Sequence, residues 1–200
     1  LAQLLKDWAI LQEFTPTEEE LAQFRADFGD ELDIAPAEDP QVEAERRQRA
    51  IALYDEWMKL PTFLVFAKQL RLAGKPEQAY NFLRPYYDKF SRDPDLLLEW
   101  GEAKFAIGSE APNTDEGRKM LIDAAAESFN VLITAYMGEP VPYPDLYWQA
   151  WVRRMQINDL LDTNTSDIPL RIRALRAAQS DLGGEPYKSQ LERLERKHAN

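Results

Sequence analysis

The chain has 200 residues, with 24 Lys/Arg against 35 Asp/Glu, a net charge of −11 and 44% hydrophobic residues. That length and apolar content suit one compact domain or one short solenoid with a sizeable core. Cysteine is absent, which excludes disulfides, thiolate zinc sites and cysteine nucleophiles.

The elements follow in chain order. Leu1, Leu4, Leu5, Trp8 and Leu11 fall on one helical stripe. Thr15-Pro16-Thr17-Glu18 reads as a capping box, with Thr15 accepting from the Glu18 amide and Pro16 at the first helical position. The helix it opens turns Leu21, Phe24 and Phe28 inward, and Gly29 is placed to end it. Asp30 to Pro40 is acidic, holds two prolines and reads as a loop. A long amphipathic helix follows over Val42–Lys59, with Ala50, Ile51, Tyr54 and Trp57 or Met58 facing in, and Pro61 marks the next boundary.

From there the chain echoes itself at a spacing of 34 residues: Phe63 with Leu97, Leu64 with Leu98, Phe66 with Trp100, Ala67 with Gly101, Gly74 with Gly108. Ala79 and Leu83 follow Gly74; Ala125 and Phe129 follow Gly108 after an insertion at Ser109–Glu116. A small residue lets two antiparallel helices approach, its large neighbour fills the adjacent groove, and a glycine permits a left-handed turn between them. A third, degenerate copy starts near Asp145, with Leu146 and Ala150 in its first helix and a second helix over Pro169–Leu182. Glu185–Lys197, with a narrow stripe of Tyr187, Leu191 and Leu194, reads as a capping helix.

In these residues the chain resembles the tetratricopeptide repeat, whose period is 34 residues. The resemblance covers about Leu60 to Leu182. It departs from the family pattern at Lys104, where a large apolar residue is usual, at the late Pro94, and at Pro85, which is expected to kink a second helix. The implied fold is all-α: antiparallel helix pairs stacked as a short right-handed solenoid, capped at both ends. Its parts are an acidic cap over 1–59, repeats over 60–93, 94–140 and 141–182, and a C-terminal cap over 183–200.

The sequence offers little for catalysis. Its single histidine, His198, lies beside the C-terminus, where a solvated ring is expected. No Ser-His-Asp set or zinc helix motif can be built on it, and no glycine-rich phosphate loop is present. Gly183-Gly184 reads as a C-cap and turn. Glu18-Glu19-Glu20 suits a helix start. Asp30, Glu31 and Asp33 lack the spacing of a calcium hand, so no metal and no cofactor are expected. The longest apolar run, Phe63 to Ala67, falls well short of the roughly 18 residues of a membrane span, so membrane insertion is not expected. Residues 1–60 carry 15 acids against 6 Lys/Arg, a balance of −9, which argues against nucleic acid. Residues 148–200 carry 7 against 9, or +2. The sequence begins at Leu1, as a trimmed or processed chain or a piece of a longer one would, and suits a soluble protein of either the cytoplasm or an exported compartment.

The expected function is protein or peptide binding without catalysis. The resemblance maps a concave face onto Leu64, Lys68 and Arg71, then Leu98, Glu102 and Phe105, then Tyr147, Trp151 and Arg154. The family's mode of clamping a terminal carboxylate needs Lys and Asn in that groove, which Glu102 and Phe105 do not supply. A segment lying on a mixed apolar groove is expected instead. In the dense cluster of Tyr143, Tyr147, Trp148 and Trp151, at least one ring is expected to face solvent or a partner. The alternatives are a structural subunit of a larger assembly, or an oligomer, and an enzyme on a helical scaffold.

Overall fold

The computed structural model describes residues 16–199 and is all-helical, with no strand among them. Its helices are α1 (Glu18–Phe28), α2 (Pro40–Leu72), α3 (Pro76–Phe90), α4 (Pro94–Glu110), α5 (Asp115–Ala124), α6 (Asn130–Tyr136), α7 (Asp145–Leu160), α8 (Ile168–Ala178) and α9 (Tyr187–His198). A π-helical segment, Ala125–Phe129, joins α5 to α6 without a break. The leucine stripe from Leu1 to Leu11, and Thr15, lie outside the described residues.

The capping box that opens α1 belongs to Thr17, not Thr15. The Thr17 hydroxyl accepts from the Glu20 amide at 3.2 Å, and the Thr17 amide donates to Glu20 Oε2 at 2.8 Å. Leu21, Phe24 and Phe28 are buried as expected, with Phe24 edge-on to Tyr54 and Phe28 edge-on to Phe90. The acidic loop that follows also contributes to the core, through Leu32 and Ile34.

Pro61 does not end a helix. α2 runs through it to Leu72. Proline removes one backbone donor, but Leu60, Phe63 and Ala67 continue one buried face across it, while the Pro61 ring stays exposed. The expected boundary between residues 59 and 60 therefore falls inside a helix. Pro85 likewise sits inside α3, which continues to Phe90.

Of the paired glycines, Gly74 makes the turn after α2 with φ +73°. Gly108 does not make a turn; it is buried inside α4, where a Cβ would lie 2.7 Å from the Gly117 carbonyl oxygen and from Leu121 Cγ. Gly101 has a similar role, since a Cβ there would lie 2.7 Å from Ser128 Cβ. Both glycines let α4 approach α5 and the π segment closely.

α1 packs on α2, α2 on α3, α3 on α4, α4 on α5, α6 on α7 and α8 on α9, and a second pattern overlies this: α2 touches α4, α4 touches α7, and α7 touches α9. One core cluster gathers α1 to α4 around Phe90 and Trp100. A second gathers α4 to α9 around Phe129 and Trp148. α4 serves both, through Leu96, Trp100 and Ala103 on one side and Leu97 on the other. The helix expected over Pro169–Leu182 starts at Ile168 and ends at Ala178, before the expected Leu182. α9 buries Leu191 and Leu194. No helix among the described residues is long and apolar enough to cross a membrane.

Candidate functional site

Among its apolar residues, α4 buries Glu99, Glu102 and Lys104. A buried charge persists only with partners, and all three have them. Arg71, near the end of α2, grips Glu99 with two hydrogen bonds of 2.7 and 3.1 Å and reaches Glu102 at 3.4 Å. Arg153 on α7 donates to both oxygens of Glu102 at 2.5 and 2.8 Å, and Gln149 adds a third donor at 3.0 Å. The seam continues from Arg153 to Gln156 at 2.8 Å and from Gln156 to Gln190 on α9 at 3.4 Å. The Arg153 guanidinium also covers the Phe105 ring at 4.5 Å. Lys104 pairs with Glu127 and lies over Trp100, which accounts for a lysine where the repeat pattern expects an apolar residue.

Burial pushes the Glu102 carboxyl up, but Arg153, Gln149 and Arg71 together outweigh it and hold it below the ordinary glutamate value. With its lone pairs engaged and 1% exposure, Glu102 is not open to a ligand. Arg71 and Phe105 are tied into the same seam. Three of the nine mapped groove residues thus come together as structural partners.

Three others, Leu64, Lys68 and Leu98, line an open cleft of about 450 Å³ between α2 and the start of α4. Met58, Pro61 and Val65 extend its apolar wall. Its polar wall is Asp93, Asp95 and Glu99, with the Lys68 side chain lining the same cleft. Asp93 is occupied: it caps α4 through the Leu96 amide at 2.9 Å and accepts from the Trp57 indole at 3.3 Å. Glu99 is held by Arg71. Asp95 takes part in no ion pair among the described residues; burial and then the charge of Asp93 raise its carboxyl above the ordinary aspartate value.

Tyr147, Trp151 and Arg154 are not on this face. Along a helix, two residues rotate a side chain by about 200°, so the set 147, 151, 154 points away from the set 149, 153, 156 that forms the seam. Tyr147 is buried and Trp151 is edge-on to it at 6.4 Å, while Trp151 and Arg154 together line a separate cleft with Asn130 and Arg171. The residues of α7 that do face α4 are Gln149, Arg153 and Gln156. What the sequence offered for them was a carboxylate, Glu102, on the largely apolar α4 and an arginine, Arg153, on α7.

No ring of the aromatic cluster is exposed. Trp148 is fully buried, and Tyr143 and Trp151 are half-buried. His198 is not free either; its Nε2 lies 2.8 Å from Asp159 Oδ1, which Lys197 also reaches at 2.6 Å. No group of three or more His, Asp or Glu residues able to hold a metal occurs among the described residues. Compared with protein-family models, with curated proteins and with solved structures, the chain matches none.

Proposed function

We propose that the chain is a tetratricopeptide-like solenoid that binds a segment of a partner protein in the cleft between α2 and α4. One observation carries the reading: Leu64 and Leu98, 34 residues apart and from equivalent places in two successive repeats, line the same open cleft together with Lys68. The contacts of α2 with α4, α4 with α7 and α7 with α9 support the solenoid, because they give one continuous layer of first helices. The chemistry of the walls points to an occupant with an apolar side chain next to a Lys or Arg. Met58, Leu64 and Leu98 take the former, and Asp95, which takes part in no ion pair among the described residues, takes the latter. The role is binding and not catalysis.

A second reading has its own support. Ile122, Val131, Met137 and Leu170, on or beside α5, α6 and α8, are each more than 40% exposed, as they would be in a subunit that packs permanently against neighbours. Light scattering separates the two: a monomer at working concentration favours transient binding.

The binding role is tested by affinity capture from the cells that make the protein, with the parent and Leu98→Glu side by side. A partner held by the parent should be lost by Leu98→Glu. Titration with that partner's binding segment should then show Asp95→Asn weaker by about tenfold. Equal capture by both forms sinks the cleft as the binding surface.

A further inference from the structure

The half-buried arginines of this protein follow a rule with one exception. Arg25 reaches Glu43, Arg46 reaches Asp33, Arg71 reaches Glu99, Arg153 reaches Glu102 and Arg176 reaches Glu195. Arg154 makes no ion pair among the described residues. Its Nε donates to the Asn130 side-chain oxygen at 3.0 Å and its Nη1 to that of Asn158. Two neutral amide oxygens orient the guanidinium but do not neutralise it. Burial and then the charge of Arg171 both work against its protonated form. The nearest acid to Arg171, Asp167, stands 3.8 Å from it, with both side chains about half exposed, so this pair is loose.

The two guanidiniums line one cleft of about 210 Å³ bounded by α6, α7 and α8. That volume admits a side chain, not a folded domain. Its Asn130 and Thr134 also line a shallower trough of about 430 Å³ formed with Val131 and Ala135. Val131 and Met137 border this surface and are 44% and 65% exposed. A cationic pocket therefore opens onto an apolar strip along α6.

We propose that this cleft is a docking site for a peptide segment whose Asp or Glu carboxylate is held by Arg154 and Arg171, and whose adjacent apolar side chains lie along α6. A carboxylate completes what the structure leaves open. A guanidinium accepts it bidentately, and Arg154 is held in place beforehand by two amides, so little side-chain freedom is lost on binding. The apolar trough sets the flanking residues. The site lies on the side of α7 turned away from the Glu102 seam, and it does not depend on the cleft between α2 and α4.

The probe is a phage-displayed library of random dodecapeptides, selected on the full chain carrying Leu98→Glu so that the other cleft is closed. Peptides enriched here should share an acid flanked by apolar residues. Their affinity should fall by about tenfold or more on Arg154→Gln, on Arg171→Gln, and when the peptide's own acid is changed to its amide. Arg171 is exposed, so Arg171→Gln tests the site even if Arg154→Gln perturbs the fold; melting by circular dichroism reports on that. Three results overturn the proposal: no enrichment, enriched peptides without an acid, or affinities unchanged in Arg171→Gln. So does displacement of the peptide by inorganic phosphate but not by acetate at equal ionic strength, which would mark the pocket as a phosphate site.

Discussion

Removing the Glu102 carboxylate tests whether the seam is an integral part of the fold. In Glu102→Ala, Arg71 keeps Glu99. Arg153 loses both of its bonds to carboxylate, and Gln149 loses one. Stranding one partner of a buried ion pair costs about 3–5 kcal/mol. The Arg153 side chain is 24% exposed, so water can reach it, and the lower end, about 3 kcal/mol, applies. For a chain of this size that corresponds to a fall in Tm of about 6–12 °C. Urea unfolding followed by circular dichroism measures it. Glu102→Leu combined with Arg153→Leu removes both charges together and should cost no more than about 1 kcal/mol. The pH dependence has a definite sign. The folded carboxyl titrates below its unfolded value, so its contribution is present above the unfolded value and disappears as pH falls through the folded one. Glu102→Gln should flatten stability across that acid window. A single variant within about 1 kcal/mol of the parent, or a double variant as damaging as the single, refutes the reasoning.

The remaining predictions concern packing and the C-terminal helix. Gly101→Leu, Gly108→Ala and Ala67→Leu should each destabilise by about 1–3 kcal/mol, because each adds bulk where backbones or side chains already touch; thermal melting checks this, and parent-like melting of all three would show that these positions are not tight crossings. Trp151→Ala should cost about 3 kcal/mol of folding stability, since the ring packs on the second core cluster; unchanged urea unfolding would return Trp151 to the surface. Burial raises the Asp159 carboxyl, but Lys197 and His198 outweigh it and lower it overall, so its contribution is present above its unfolded value and is lost as pH falls through the folded one. Asp159→Asn should therefore speed hydrogen exchange in α9 at neutral pH, and equal exchange in the two forms would exclude this anchoring role.

Helix content and inward faces were legible because they rest on local periodicity. Leu21, Phe24 and Phe28, or Leu191 and Leu194, announce a buried stripe whatever they pack against. Features that depend on distant residues were not. Gly74 and Gly108 look alike in the sequence, since both simply lack a Cβ. One uses that to reach φ +73°, the other to admit the Gly117 carbonyl. Proline at 61 carries the same local signal whether or not the helix continues; the continuous buried face of Leu60, Phe63 and Ala67 decided it. On α7, two sets of residues share the spacing of four and three. Spacing defines a face but not which way it points. That was settled by Glu102, 51 residues away from Arg153, whose buried charge requires a cation.

The seam also explains where open surface remains. Between α2, α4 and α7, Glu99, Glu102, Arg71 and Arg153 satisfy one another, and Phe105 is covered, so this middle surface is closed to a ligand. Exposed recesses are left to either side. One is apolar with Asp95 at its edge, the other holds Arg154, and neither of these two charges has an ion-pair partner among the described residues. Because screening confines a charge's influence to about 8 Å at physiological salt, the net charge of −11 does not dictate what each recess attracts. Local chemistry does, and the two recesses differ in sign. On the proposed readings, a cation beside an apolar group fits the first and a carboxylate beside apolar groups fits the second. Charge reversal at Asp95 should therefore leave the Arg154 recess untouched, and charge reversal at Arg171 should leave the Asp95 recess untouched.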